Sequence, residues 1–181
     1  RRETEMRQAL FNYLKCLVIA FLMGGLVACE TKSVESIIGT GEVRTLITEL
    51  HKAKKCEVYR VDDSYPEENK LNKGNEIQGF AVLSEAQPIK DDARKALSQI
   101  LLSPNTYFEH SVPVDCGFRP GIAFRFSDGI IEVDVLVCFS CRELRYYSAG
   151  KLVGESHFQS PEILALTKKL FPDDKIIQAL K

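Results

Sequence analysis

Apolar residues at Val43, Leu46, Ile47, Leu50 and Ala53 recur at three- and four-residue intervals. That spacing lines one face of a helix and predicts one over 42–55. Residues 56–61 alternate weakly and read as a strand. Residues 62–75 are polar, contain Pro66 and Gly74, and read as a loop before a second strand over 77–83. A second helix is expected over 88–103. Ile89, Ala93, Ala96, Leu97, Ile100 and Leu101 form its stripe, Pro88 suits a first helical turn, and Pro104 stops it.

Ser127-Asp128-Gly129-Ile130 is a hairpin signal, because Asp-Gly suits the positive φ angles of a two-residue type I′ turn. With Asp128-Gly129 as the loop, Phe126 faces Ile131, Phe124 faces Val133 and Ile122 faces Val135. Arg125 faces Glu132 on the other surface. A further strand over 142–148 turns near Ala149-Gly150. Tyr146 and Tyr147 alternate across it, one inward and one outward. The last helix is expected from Ser160, as cap, with Pro161 in first position. It carries Ile163, Leu164, Leu170 and Phe171 on its buried side and ends at Pro172; 174–180 add a short helical turn. The order αββαβββα, with strands joined by short turns, predicts an α+β domain: an antiparallel sheet with helices packed on one face.

The N-terminal pattern differs from all of this. Met6 reads as an initiator, Arg7 and Lys15 as a basic flank, and 16–28 as an uncharged apolar run. The run is shorter than the roughly 20 residues a spanning helix needs, and is the length of a signal-peptide core. Leu26-Val27-Ala28-Cys29 follows it and resembles the lipobox of bacterial lipoproteins. The resemblance implies cleavage before Cys29 and lipid on the Cys29 sulfur, the thiolate being the nucleophile that takes up the diacylglyceryl group. The implied division is a signal peptide over 1–28, a lipidated tether over 29–41 and a single domain over 42–181. Glu30, rather than Asp, follows the lipidated cysteine, which by analogy with enteric bacteria favours the outer membrane over the inner.

Residues 1–28 carry four basic and two acidic side chains, so the remaining 153 residues have a net charge of −3. That balance is not the basic face that nucleic-acid binding calls for. Nucleophile elbows, P-loops, zinc-protease helices and dinucleotide-binding glycine patterns are absent from the sequence. Ser148-Ala149-Gly150-Lys151 reads as a turn and not as a Ser/Lys pair. The doubled acids Asp62-Asp63, Asp91-Asp92 and Asp173-Asp174 lack calcium-loop spacing. No catalytic residue is assigned, and a non-enzymatic envelope binding domain is the leading expectation.

Cys56, Cys116, Cys138 and Cys141 are the chemistry left to explain. In an exported domain four cysteines allow two disulfides in three connectivities. Continuing the hairpin register sets Cys116 against Cys141, while a bulge near Pro120 would bring Cys138 to it instead. Cys138-Phe139-Ser140-Cys141 also opens an alternative, a metal-binding or thiol-redox module built on Cys116, Cys138 and Cys141. Zinc there would need Cys56 or one of His51, His110 and His157 as a fourth ligand. A redox centre of the thioredoxin kind would place its first cysteine at a helix N-terminus, whereas this one follows a strand. The stretch from Cys116 through Pro120 to Cys138 and Cys141 resembles a group of uncharacterised bacterial proteins with a Cys, a Pro and a hairpin ending in C-F-x-C. The resemblance implies no activity, and the histidine that often follows the proline in that group is missing here.

Overall fold

The computed structural model describes residues 50–64, 75–108 and 116–181. The expected signal segment, the expected tether with Cys29, most of the first expected helix, most of the expected 62–75 loop and His110 lie outside the described residues. Nine strands are present among the described residues: β1 (Lys55–Arg60), β2 (Glu76–Ile77), β3 (Phe80–Ala81), β4 (Gln87–Pro88), β5 (Tyr107–Phe108), β6 (Ile122–Ser127), β7 (Glu132–Cys138), β8 (Glu143–Ser148) and β9 (Lys151–Phe158). Helices α1 (Asp91–Leu101), α2 (Pro161–Leu170) and α3 (Lys175–Ala179) accompany them, with a short 3₁₀ turn at Pro104–Thr106. Seven strands form one antiparallel sheet in the order β4-β1-β6-β7-β8-β9-β5, and β2 and β3 pair separately. The fold is α+β, an antiparallel sheet with helices packed on one face.

Alternation along the strands explains the two faces. Cys56, Val58, Ile122, Phe124, Phe126, Val133, Val135, Val137, Leu144 and Tyr146 point to one side. There they meet Leu50, Ala53, Leu97, Leu101, Ile163, Phe171 and Ile177 from the helical segments, forming the main core. On the opposite side Val61, Ala123, Leu136 and Cys138 form a smaller core with Ile77 and Phe80 of the β2–β3 hairpin and with Phe118. The second face is therefore capped by short pieces of chain, and β7 is buried on both sides except at its first residue.

The register of the β6–β7 hairpin departs from expectation. Phe126 pairs with Val133, Phe124 with Val135, Ile122 with Val137 and Arg125 with Asp134. Every pair is displaced by two residues from the two-residue-loop alignment. The shift preserves the face of each side chain, since only an odd slip would exchange faces. Its cause is local. Gly129 has φ +99° but Asp128 is not in the left-handed region, so a type I′ turn does not form. Asp128 instead accepts hydrogen bonds from the amides of Ile130 (2.8 Å) and Ile131 (2.9 Å), closing a longer loop. The two-residue turn with both φ positive falls at Ala149 (φ +49°) and Gly150 (φ +76°), flanked by the Ser148–Lys151 pair.

Other boundaries move for identifiable reasons. Residues 50–52 are helical, but the chain is a strand from Lys55, because Cys56 and its neighbours pair with β6. The single strand expected over 77–83 is a hairpin broken at Gln78 (φ +53°) and Gly79 (φ +87°). Gln87 and Pro88 pair with β1 at the sheet edge, where a missing amide is tolerated, and the helix begins only at Asp91. Strand β9 was not expected. Its sequence KLVGESHF has no clean alternation, and its burial is correspondingly mixed. Ser160 stands in the cap position of α2, yet its hydroxyl donates to the Glu162 carboxylate (2.5 Å) and makes no cap bond to a helix amide.

One buried charge ties the strands to the C-terminal helices. Arg60 ends β1, is 7 % exposed, and donates to the carbonyls of Val61 (2.6 Å) and Gly121 (2.7 Å). Its Nε reaches Asp174 Oδ2 at 3.0 Å. Asp174 also caps α3, accepting from the amides of Ile176 (2.9 Å) and Ile177 (3.0 Å). Burial raises the Asp174 carboxyl, but the Ile177 amide, the Arg60 guanidinium and the Ile176 amide outweigh it and hold the carboxyl below its ordinary 3.8.

Two outcomes follow from this packing. Phe124→Ala, at a site with no exposed surface, should lower the urea unfolding free energy by about 3–5 kcal/mol. Ile130→Ala, at the exposed loop tip, should change it by less than about 0.5 kcal/mol. Because folding lowers the Asp174 value, its stabilisation is present above the ordinary value and is lost as pH falls through the folded-state value. Asp174→Asn should thus be less stable than the parent at neutral pH. In urea titrations across acid pH the two midpoints should converge.

Candidate functional site

The cysteine chemistry gathers at the turn joining β7 to β8. Cys138 ends β7, residues 139–142 make the turn with Arg142 at φ +51°, and the Arg142 amide donates to the Phe139 carbonyl (3.3 Å). Against this turn lies the segment 116–120, which precedes β6 and crosses the second face of the sheet. Cys116 and Cys141 are joined by a disulfide, with their Cα atoms 5.8 Å apart. Phe118 is buried in the same segment, edge-on to Phe80 (ring centroids 6.2 Å apart), and the Arg145 guanidinium lies over its face at 4.1 Å. Arg145 is held from behind by Glu143 (2.7 Å) and Glu155 (3.3 Å).

The route to this bond is not the one the sequence suggested. Continuing the observed β6–β7 ladder would carry Cys116 past Cys141 to the position of Glu143. Residues 116–120 have instead left the ladder, and the bond joins a loop to a turn.

Cys138 keeps a free thiol and is wholly buried beside the disulfide. Its sulfur accepts a hydrogen bond from the Arg119 amide (3.4 Å) and lies 3.3 Å from Ser140 Oγ. The same hydroxyl is 4.0 Å from Cys141 Sγ. Cys56 is also free, but sits in the helix-side core. Burial drives its thiol well above the ordinary range, leaving it an inert core residue. The structure thus brings Cys116, Cys138 and Cys141 together and leaves Cys56 apart.

The remaining candidates scatter. His51 is exposed near the start of the described chain, and His157 lies on β9 with its ring 5.9 Å from Phe108. Among the described residues no group of three His, Cys, Asp or Glu side chains is placed to hold a metal ion. With Cys116 and Cys141 bonded to each other, zinc at this turn would first require that bond to be reduced. Asp62 closes a local turn with Ser64, and Asp91 and Asp92 occupy the first turn of α1, where negative charge is favourable. Tyr146 is fully buried, its hydroxyl bonded to that of Tyr107, while Tyr147 is half-buried against the second core.

Two features were not anticipated. Asp134 is 3 % exposed and is bound by Arg125 through two bonds (2.7 and 3.0 Å) and by the Gln78 amide (2.8 Å). The signal was partly visible, since Arg125 was expected opposite an acid, though the wrong one. The second feature is a pair of adjoining cavities, of about 550 and 200 Å³, that share Gln159, Ser160 and Pro161 at the start of α2. The larger is lined by Gln99, Ser103 and Asn105 of the α1 end and 3₁₀ turn, with Glu162 as its one charged residue. The smaller is lined by Phe139, Phe158 and Leu164 together with the cations Arg142 and Lys181. Such a surface offers hydrogen bonds and apolar contact and no convergent acid–base pair. No sequence pattern announces it, because it assembles four separate stretches of chain.

Removing the bridge tests its role as a staple. The bonded cysteines are separated by 25 residues, a loop whose closure is worth about 3 kcal/mol. The Cys116→Ala/Cys141→Ala double variant should lose about that much in denaturant unfolding, and Cys56→Ser should leave the bridge intact in unreduced peptide maps. Protein-family models, curated proteins and solved structures give no match to this chain.

Proposed function

We propose that this chain is a lipid-anchored protein of the bacterial cell envelope whose α+β domain is a non-enzymatic binding or interaction module. The observation that carries the reading is the Cys116–Cys141 disulfide. Structural disulfides persist in oxidising compartments and are rare in the cytosol, so the bond supports the export that the lipobox-like 26–29 segment implies. Lipid on Cys29 attaches the domain to the membrane, and the tether over 29–41 is short enough to hold it near the surface. Glu30 favours the outer membrane.

The twin cavities at the start of α2 are the surface best suited to an envelope partner or ligand. They combine hydrogen-bonding side chains such as Gln99 and Asn105 and the charged Glu162, Arg142 and Lys181 with the aromatic pair Phe139 and Phe158, whose ring centroids are 6.0 Å apart. Polar and charged groups around an aromatic pair suit recognition of a partner or ligand.

The anchor is tested directly. Expressed in a bacterial host fed an alkyne-bearing palmitate, the chain should take up label and fractionate with membranes. Cys29→Ala should abolish the label and leave residues 1–28 attached. An unlabelled, soluble parent chain would refute the assignment.

A further inference from the structure

The cysteine turn holds three sulfurs where a staple needs two. Cys138 Sγ and Cys141 Sγ flank the same Ser140 hydroxyl, at 3.3 and 4.0 Å, so the free thiol and the bridge are separated by no more than the sum of those distances. The thiol is buried in the smaller apolar core, but unlike Cys56 it has polar groups from the two bridged segments directed at it. The Arg119 amide donates a hydrogen bond to its sulfur, and the Ser140 hydroxyl lies within hydrogen-bond distance of it. Both contacts come from the two segments that the disulfide joins.

We infer that Cys138 is a resolving thiol that exchanges with the Cys116–Cys141 bridge, making this turn a built-in disulfide switch. The step is balanced within the chain. Cys138 attacks Cys141 Sγ as its thiolate, the Cys138–Cys141 bond forms, the Cys116–Cys141 bond breaks, and Cys116 leaves as a thiolate that takes up a proton, so that net one proton passes from Cys138 to Cys116. No oxidant or reductant is consumed. The product bond closes a C-x-x-C inside one turn, in place of a link across 25 residues.

The structural consequence falls on 116–120. In the bridged form this segment is tied to the turn covalently, and Phe118 is clamped between Phe80 and Arg145. After exchange the covalent tie is gone and the Cys116 thiol, half-buried at the outer end of the segment, is free. Cys116 then becomes the sulfur able to meet an external thiol or disulfide, while Cys138 stays covered. The inference does not rest on the lipid anchor.

The full chain would be held in native buffer over a range of pH, quenched in acid denaturant with a maleimide, and mapped by unreduced proteolysis and mass spectrometry. The expected result is a Cys138–Cys141 linked peptide with maleimide on Cys116. It should appear faster at higher pH, because exchange proceeds through a thiolate. Cys138→Ser should abolish Cys116 labelling. Finding only the Cys116–Cys141 link at every pH, with maleimide on Cys138, would overturn the inference, as would Cys116 labelling that persists in Cys138→Ser. A second variant reads the geometry alone: Cys116→Ser treated with diamide should close Cys138 to Cys141. Two free thiols there would equally overturn it.

Discussion

Burial of β7 on both faces is the constraint on which the rest of the structure depends. Val133, Val135 and Val137 point into the helix-side core, and Leu136 and Cys138 into the smaller core behind the sheet. A strand flanked by β6 and β8 and covered on both sides cannot present a polar side chain without finding it a partner. Asp134 is the exception that shows the rule. Its carboxylate is almost wholly covered, and both oxygens are occupied by Arg125 and Gln78. Taking such a pair out of water costs several kcal/mol for each ion, and close bidentate geometry is what offsets it. That partnership reaches outward, because Gln78, which bonds Asp134, sits in the left-handed turn that joins β2 to β3.

The second face is therefore closed by short elements that could not stand alone. The β2–β3 hairpin has two residues per strand, and the 116–120 segment has no regular structure. Their attachments are correspondingly strong and specific: a disulfide, an arginine over an aromatic ring, and a bidentate ion pair. The helix side relies mainly on continuous apolar contacts, with the Arg60–Asp174 pair as its charged tie. The cysteine turn thus stands where covalent attachment matters most to the layer it holds. That position is also where a change of disulfide partner would be felt.

The other side carries the surface proposed for partners. The cavities at the start of α2 adjoin Phe139 of the cysteine turn, so the turn touches both faces: Cys138 and Cys141 belong to the small core, while Phe139 packs against the main one beside Phe158. Phe139, the neighbour of Cys138 in the turn, lines the smaller cavity. The two proposals meet at that residue, although each rests on its own observation.

Much of the scaffold was legible in the chain. The stripe from Ile89 to Leu101 specified α1, Pro161 specified the start of α2, and the alternation around Phe124 and Val133 specified an antiparallel pair with the correct faces. These are local consequences of period and backbone preference, which a short window of sequence contains. The loop length at Asp128-Gly129 was not legible, since an Asp-Gly pair is compatible with both a two-residue turn and a longer one. The side-chain bonds of Asp128 to two amides decide between them. Strand β9 and the pairing of Gln87-Pro88 escaped notice because edge and mixed-burial strands owe their existence to a neighbour and not to their own alternation. In the cysteine cluster the sequence by itself determined which residue types were present and that three of them flank one hairpin. Only the tertiary structure decided that Cys116 joins Cys141 while Cys138 remains a covered thiol, because the choice depends on where 116–120 leaves the sheet. Off the sheet, Phe118 contacts Phe80 and Arg145, residues 38 positions before it and 27 after, which no local pattern encodes.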